Sequence, residues 1–187
     1  MTTLVAPHGG ILRNLVADPD RAAELKELSI ELPDWDLTNR QLWDTELLLN
    51  GAFSPLEGFM TEEDYYGVCK DMRLGDGTLW PVPITLDVTR EFIDEQGIEP
   101  GSRVALRHPE GMVLAILHVS SIFEPDRDAE AEQVLGTTDE AHPHVFNLKH
   151  KTNPVYIGGK VEGIELPQHH TFQDARYTPS ELRHVFS

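Results

Sequence analysis

The chain has 187 residues, enough to bury a sizeable core in one domain, and at 40% apolar and 25% charged residues its composition is that of an ordinary globular protein. Its 32 Asp and Glu stand against 15 Lys and Arg, a formal charge of −17 that disfavours nucleic acid and anionic membranes as partners. The single Cys69 excludes an internal disulfide and a cysteine-built zinc site, and no run approaches the ~18 apolar residues that span a bilayer.

The N-terminal stretch MTTLVAPHGG lacks the basic-then-apolar order of a signal peptide, so a cytoplasmic setting is expected. Residues 1–17 read as extended chain with a turn at Gly9-Gly10. Asp18-Pro19 opens a helix that runs to about Leu28. Ser29 to Leu32 alternates and reads as a strand, and Asp34 to Leu37 as a turn. Thr61, with Asp64 three residues on, caps a further helix carrying Tyr65, Val68, Cys69 and Met72. Gly75-Asp76-Gly77 is a tight turn. Trp80, Val82, Ile84, Leu86 and Val88 alternate as a strand. Pro81 and Pro83 within it cannot donate to a ladder, which puts that part at a sheet edge.

Val104 to Arg107 and Met112 to Ile122 read as strands joined by the turn His108-Pro109-Glu110-Gly111. Asp126 to Leu135 is an acidic helix ended by Gly136, and His142 to Lys151 a short helix or turn. Val155 to Ile157 and Lys160 to Leu166 read as two strands about a Gly158-Gly159 corner. Thr178-Pro179-Ser180-Glu181 is a capping box with proline at the first helical position, opening a helix through Leu182, Val185 and Phe186. Strands with helices inserted between them suggest a β-barrel-like α+β domain, and the simplest partition is a single domain, 1–187.

The stretch from Thr38 to Met60, TNRQLWDTELLLNGAFSPLEGFM, organises the rest. Thr38 and Gln41 form a capping box for a helix that stops at Asn50-Gly51. Ala52, Phe53, Leu56, Phe59 and Met60 follow, while Pro55 and Gly58 forbid a regular element. Two readings stand: a packed core corner, or a docking surface for another domain.

NGAFSPLEGFM resembles a motif of the N-terminal domain of the ATP sulfurylase (sulfate adenylyltransferase) family. Ala6-Pro7-His8-Gly9-Gly10 with Leu12 and Asn14-Leu15, Arg73 to Val88, Arg103 to Leu106, Leu114 to Leu117, Glu130 to Thr137 and Pro167 to Phe186 resemble further blocks of that family, in the same order. The resemblance implies a PUA-like mixed-strand barrel decorated with helices. It also implies an enzyme that joins sulfate to the α-phosphate of ATP, giving adenosine 5′-phosphosulfate and pyrophosphate. The family's Gln-x-Arg-Asn-Pro, His-x-x-His and Gly-Arg-Asp-His-Ala-Gly segments, carried on a following catalytic domain, do not occur here, and the sequence ends at Ser187 about where that domain would begin.

No catalytic, cofactor-binding or metal-binding residue is therefore assigned. ATP and magnesium are expected only for the full-length enzyme, whose transition state needs cations and oriented donors. The close histidine pairs, His142-x-His144 and His169-His170, supply too few ligands for a metal, and Arg103, Arg107 and Arg176 read as ion-pairing residues. The candidate docking residues are Phe53, Pro55, Leu56, Gly58 and Phe59, with His169 in a Pro-x-His segment like the family's. The expected partners are a catalytic domain and, in the full enzyme, further copies in a homo-oligomer, with no nucleic acid and no membrane. Two other readings remain open: a free-standing PUA-like module binding RNA or protein, and a degenerate regulatory protein. With so few cations and no basic strip, RNA is disfavoured.

Overall fold

The computed structural model describes residues 4–187; the first three residues of the expected extended N-terminal segment lie outside. The chain folds into two compact units, one formed by Met1–Gly58, Arg103–His118 and Lys160–Ser187, the other by Phe59–Ser102 and Val119–Gly159.

The first unit opens with α1 (Pro19–Ser29), whose Asp18 cap accepts the Arg21 N–H while Pro19 occupies the first turn. Strand β1 (Asp34–Asp36) follows, then α2 (Asn39–Leu49). β1 lies parallel to β4 (Arg103–Arg107), and β4 pairs antiparallel with the start of β5 (Val113–Phe123). The turn between β4 and β5 is closed by His108 N–H to the Met112 carbonyl, 2.7 Å, as the sequence suggests. Strand β2 (Gly58–Phe59) and the end of β6 (Val155–Gly163) extend this sheet, with Val161 N–H donating to the Glu57 carbonyl at 2.8 Å. Leu25, Ala105, Ile116 and Ile164 pack together between α1 and these strands. The unit also holds α7 (Pro179–Phe186), opened by the expected Thr178–Glu181 capping box.

The second unit carries α3 (Glu62–Asp71), β3 (Leu86–Val88), α4 (Arg90–Gln96), α5 (Arg127–Glu130), a π-helical turn over Ala131–Leu135, and α6 (Pro143–His150). β3 pairs antiparallel with the start of β6. Thr61 caps α3 and Gly136, in the left-handed region, ends the π-helical turn, as read from the sequence. Ala131, Val145 and Leu148 form a small core between that turn and α6.

The fold is α+β, but the sheet is open: among the described residues the strand order ends on β1 and β2, of three and two residues, which do not pair with each other. Several local expectations are corrected. Ser29 to Leu32 is no strand, because the N–H groups of Ile30, Glu31 and Leu32 bond back to the carbonyls of Glu27, Leu28 and Ser29 and wind α1 to its end. The strand falls instead on Asp34–Asp36, within the expected turn, where pairing with the distant β4 outweighs local signals. The run Trp80 to Val88 enters the ladder only at Leu86–Val88, beyond the two prolines.

A further correction concerns Val155 to Leu166, where a single strand runs Val155–Gly163 in place of two. Gly158 supports that strand rather than a corner, since a Cβ there would lie 2.0 Å from the Met60 carbonyl oxygen. Glycine is required by backbone-to-backbone approach and not by a turn.

Candidate docking surface

The corner after α2 is built by hydrogen bonds that leave it little freedom. Gln41 is buried inside α2; its Oε1 accepts the Thr38 N–H at 3.0 Å and the Trp35 indole N–H at 3.2 Å. Gly51, at φ +87°, ends the helix. Asn50 Oδ1 then accepts the Ala52 N–H, and the Phe53 N–H donates to the Leu47 carbonyl at 3.0 Å. The buried Ser54 hydroxyl donates to the Gly51 carbonyl at 2.6 Å and accepts the Arg13 N–H at 2.8 Å. Ser54-Pro55 is cis. Gly9, at φ +70°, comes so close that a Cβ on it would stand 2.7 Å from the Pro55 Cβ. The N-terminal segment and the corner are thus locked together, and only glycine fits at position 9.

The structure divides the candidate residues. Phe59 at 2% and Leu56 at 7% exposure belong to the chain's own core, and Gly58 is buried in β2. Phe53 and Pro55 are half-buried and keep some surface. His169 pairs its Nε2 with Glu46 Oε1 at 2.8 Å, on the side of α2. Beside the corner, Glu57 lies between Lys160 at 2.7 Å and Arg13 at 3.3 Å. The Lys160 ammonium, more than Arg13, holds the Glu57 carboxyl below its ordinary range despite partial burial.

An apolar groove of about 410 Å³ opens next to the corner. Its lining includes Pro7, Leu12 and Ala52 together with Leu182 and Phe186 of α7. The Arg183 guanidinium donates to the Val5 carbonyl and fastens α7 to the N-terminal segment.

Arg107 pairs with Asp34 and, at 3.5 Å, with Asp36, and Arg176 donates to the Thr171 carbonyl, so these cations have structural partners. His142 caps α6 through the His144 N–H. Among the described residues no group of three or more His, Cys, Asp or Glu is arranged to hold a metal ion, and no helix is long and apolar enough to cross a membrane.

Two polar clusters escaped the sequence reading because their members are far apart in the chain. In the first unit Arg21 grips Glu162 with Nε at 2.7 Å and Nη2 at 3.1 Å, and His118 Nε2 approaches the same carboxyl at 3.2 Å. In the second unit the buried Glu130 accepts from the Tyr65 hydroxyl at 2.7 Å and, longer, from Tyr156 at 3.4 Å. Burial pushes the neighbouring Cys69 thiol up to about 12, so it stays protonated and inert at neutral pH.

A PUA-like domain family model matches residues 5–166, a span that includes parts of both units. The chain belongs to that family. Its relatives include the sulfate adenylyltransferases of Phaeosphaeria nodorum (51% identical) and Coccidioides immitis (51%), each over 95% of this chain and 31% of the relative. That of Chaetomium globosum is 50% identical over 97% of this chain and 32% of its own length. Among solved structures, a hexameric APS kinase from Thiobacillus denitrificans superposes with a TM-score of 0.77 at 36% identity, over 98% of this chain and 31% of that one. This chain therefore spans about a third of the length of the curated relatives it matches, and in sequence it resembles a portion of a sulfate adenylyltransferase.

Proposed function

We propose that this chain is the N-terminal, non-catalytic part of a sulfate adenylyltransferase, and that it supports the catalytic part and the oligomer of that enzyme. The observation that carries the reading is the pairing of about 50% identity across nearly the whole chain with coverage of only about 31% of each relative. The geometry agrees with a supporting role. Arg21, Arg107 and Lys160 are tied to acids, whereas transfer of a nucleotide needs cations free to meet developing negative charge. ATP and magnesium then belong to the complete enzyme, with the catalytic part as the direct partner. The hexameric assembly named for the solved relative supports a homo-oligomer, and a cytoplasmic setting belongs to the same reading, in keeping with the lack, among the described residues, of a helix long and apolar enough to cross a membrane.

The alternative, a free-standing module that binds RNA, is tested by titrating labelled single-stranded and duplex RNA at two salt concentrations. Weak or undetectable binding is expected of a chain with a charge of −17. A salt-sensitive dissociation constant tighter than about 1 µM, at the strong edge of non-specific binding, would favour the module over the supporting domain.

A further inference from the structure

We propose that Asn50-Gly51, at the end of α2, is a spontaneous deamidation site that the packed corner holds shut, and that reaction there keeps the corner from closing again. The reactants are the chain itself and water.

The chemistry follows from the residue pair. Asparagine is thermolabile, and a following glycine has no Cβ to crowd the nitrogen that attacks it. The Gly51 nitrogen adds to Asn50 Cγ. The N–Cγ bond forms, the Cγ–Nδ2 bond breaks, and Nδ2 leaves as ammonia with the proton given up by the Gly51 nitrogen. Water then opens the cyclic imide. Cleavage at Cγ leaves aspartate, and cleavage at the main-chain carbonyl leaves isoaspartate, with an extra methylene in the backbone. Asp76-Gly77 has the same spacing, but the Thr78 N–H, at 2.8 Å, holds its carboxyl below the ordinary range, and a carboxylate resists such attack.

Closing the ring requires the Gly51 nitrogen to swing towards Cγ by rotation about the Asn50 Cα–C bond, and the corner blocks that rotation. Asn50 sits at φ −82° and ψ −4°, which nearly eclipses the Gly51 nitrogen with that of Asn50 and keeps it away from Cβ. The Gly51 N–H is occupied by the Leu48 carbonyl at 3.3 Å, and Asn50 Oδ1 by the Ala52 N–H at 3.0 Å. The chain is pinned on both sides of the bond that must turn. The Leu49 carbonyl accepts the Leu15 N–H at 2.9 Å, and the Gly51 carbonyl accepts the Ser54 hydroxyl at 2.6 Å.

Neither product fits the closed corner. Aspartate at position 50 places a negative charge at the C-terminal end of α2, where the helix dipole is itself negative, one turn after Glu46. Isoaspartate lengthens the main chain immediately before Gly51, whose φ of +87° sets the direction of the corner. The added methylene shifts the Gly51 carbonyl off the Ser54 hydroxyl that also receives the Arg13 N–H.

The test uses the whole chain, incubated at mildly alkaline pH in buffer and, in parallel, in urea above its unfolding midpoint. Digestion at acid pH and mass spectrometry read the mass gain of amide-to-acid exchange in the peptide that contains Asn50. Reaction in the folded chain should be slower than in urea by about tenfold or more, because it waits on opening of the corner. Ser54→Ala removes the hydroxyl that joins the Gly51 carbonyl to the Arg13 N–H, and Gly9→Ala presses a Cβ onto Pro55. Each variant that circular dichroism shows to be folded should react faster in buffer than the wild type. Equal rates in buffer and urea overturn the proposal, as does a folded variant that reacts no faster; the comparison of buffer with urea decides the matter even where neither variant folds. Reacted chain refolded from urea should melt below chain carried through urea at acid pH, where the amide survives. Identical melting temperatures would overturn the claim that the corner cannot close again.

Discussion

The Tyr65 hydroxyl donates to Glu130 across 65 positions of sequence, at 2.7 Å, with both residues inside the second unit. The Tyr156 hydroxyl reaches the same oxygen at 3.4 Å, and the Phe123 ring packs against both tyrosines. The carboxyl stands at the end of α5, where the helix loosens into the π-helical turn. Desolvation, with the negative charge beside it, raises the Tyr65 pKa, so its hydroxyl stays protonated and donating. Tyr65→Phe keeps the ring and removes only this bond to a buried carboxyl. The expected loss is about 1–3 kcal/mol in urea unfolding, with an unchanged slope. A neutral substitution would mean that the bond does not hold α5 in place.

The corner after α2 divides into residues that hold the fold and residues that keep some surface. Phe59→Ala empties a site that is 2% exposed and should cost about 3–5 kcal/mol. Leu56→Ala, at 7% exposure, should fall at about 2–5 kcal/mol. Phe53→Ala, half-buried, should cost clearly less than either. Thermal unfolding of the three variants gives the order directly. An equal loss at Phe53 and Phe59 would show that the whole corner belongs to the core.

Much of this was legible in the sequence, and the part that was not has a physical reason. The caps at Asp18, Thr38, Thr61 and Thr178 are local chemistry, readable from three or four residues, and each opens a helix as expected. β1 was missed because three residues of Asp-Trp-Asp carry no period, and their pairing partner lies about seventy residues away. Gly158-Gly159 looked like a corner because a glycine chosen for close backbone approach is indistinguishable in sequence from one chosen for a turn. The sequence reading allowed no regular element across the apolar corner, yet Gly58-Phe59 form the short strand β2, because pairing with a distant strand is invisible in two residues. Which of its rings are buried depends on tertiary packing, and alternation gives no guide over so short a run. His169 was expected near a partner domain, and its bond to Glu46 depends on a contact 123 residues long in sequence.

The Arg21–Glu162 pair makes a prediction about pH. The hydrogen bonds from Arg21 first, and then that from His118, hold the Glu162 carboxyl below its ordinary range. A carboxyl depressed in the folded state contributes stability that is fully present above its unfolded pKa and disappears as the pH falls through the folded value. The pair is partly exposed, so its contribution is modest and screened by salt. Arg21→Ala should therefore lower the melting temperature at pH 7, and the difference from the wild type should shrink as the pH drops below the usual carboxylate range. A difference that grows on acidification would contradict this account of the pair.

The central claim is that this chain supports sulfate activation without carrying it out. Pyrophosphate release from ATP, magnesium and sulfate tests it most directly, measured for the chain alone, for the separately produced catalytic portion of the Phaeosphaeria nodorum enzyme, and for the two mixed. The account predicts background release from the chain alone and a higher rate for the mixture than for the catalytic portion by itself. Turnover by the chain alone that is lost on substituting one of its own residues, or a catalytic portion whose rate and thermal stability are unchanged by the chain, would contradict it.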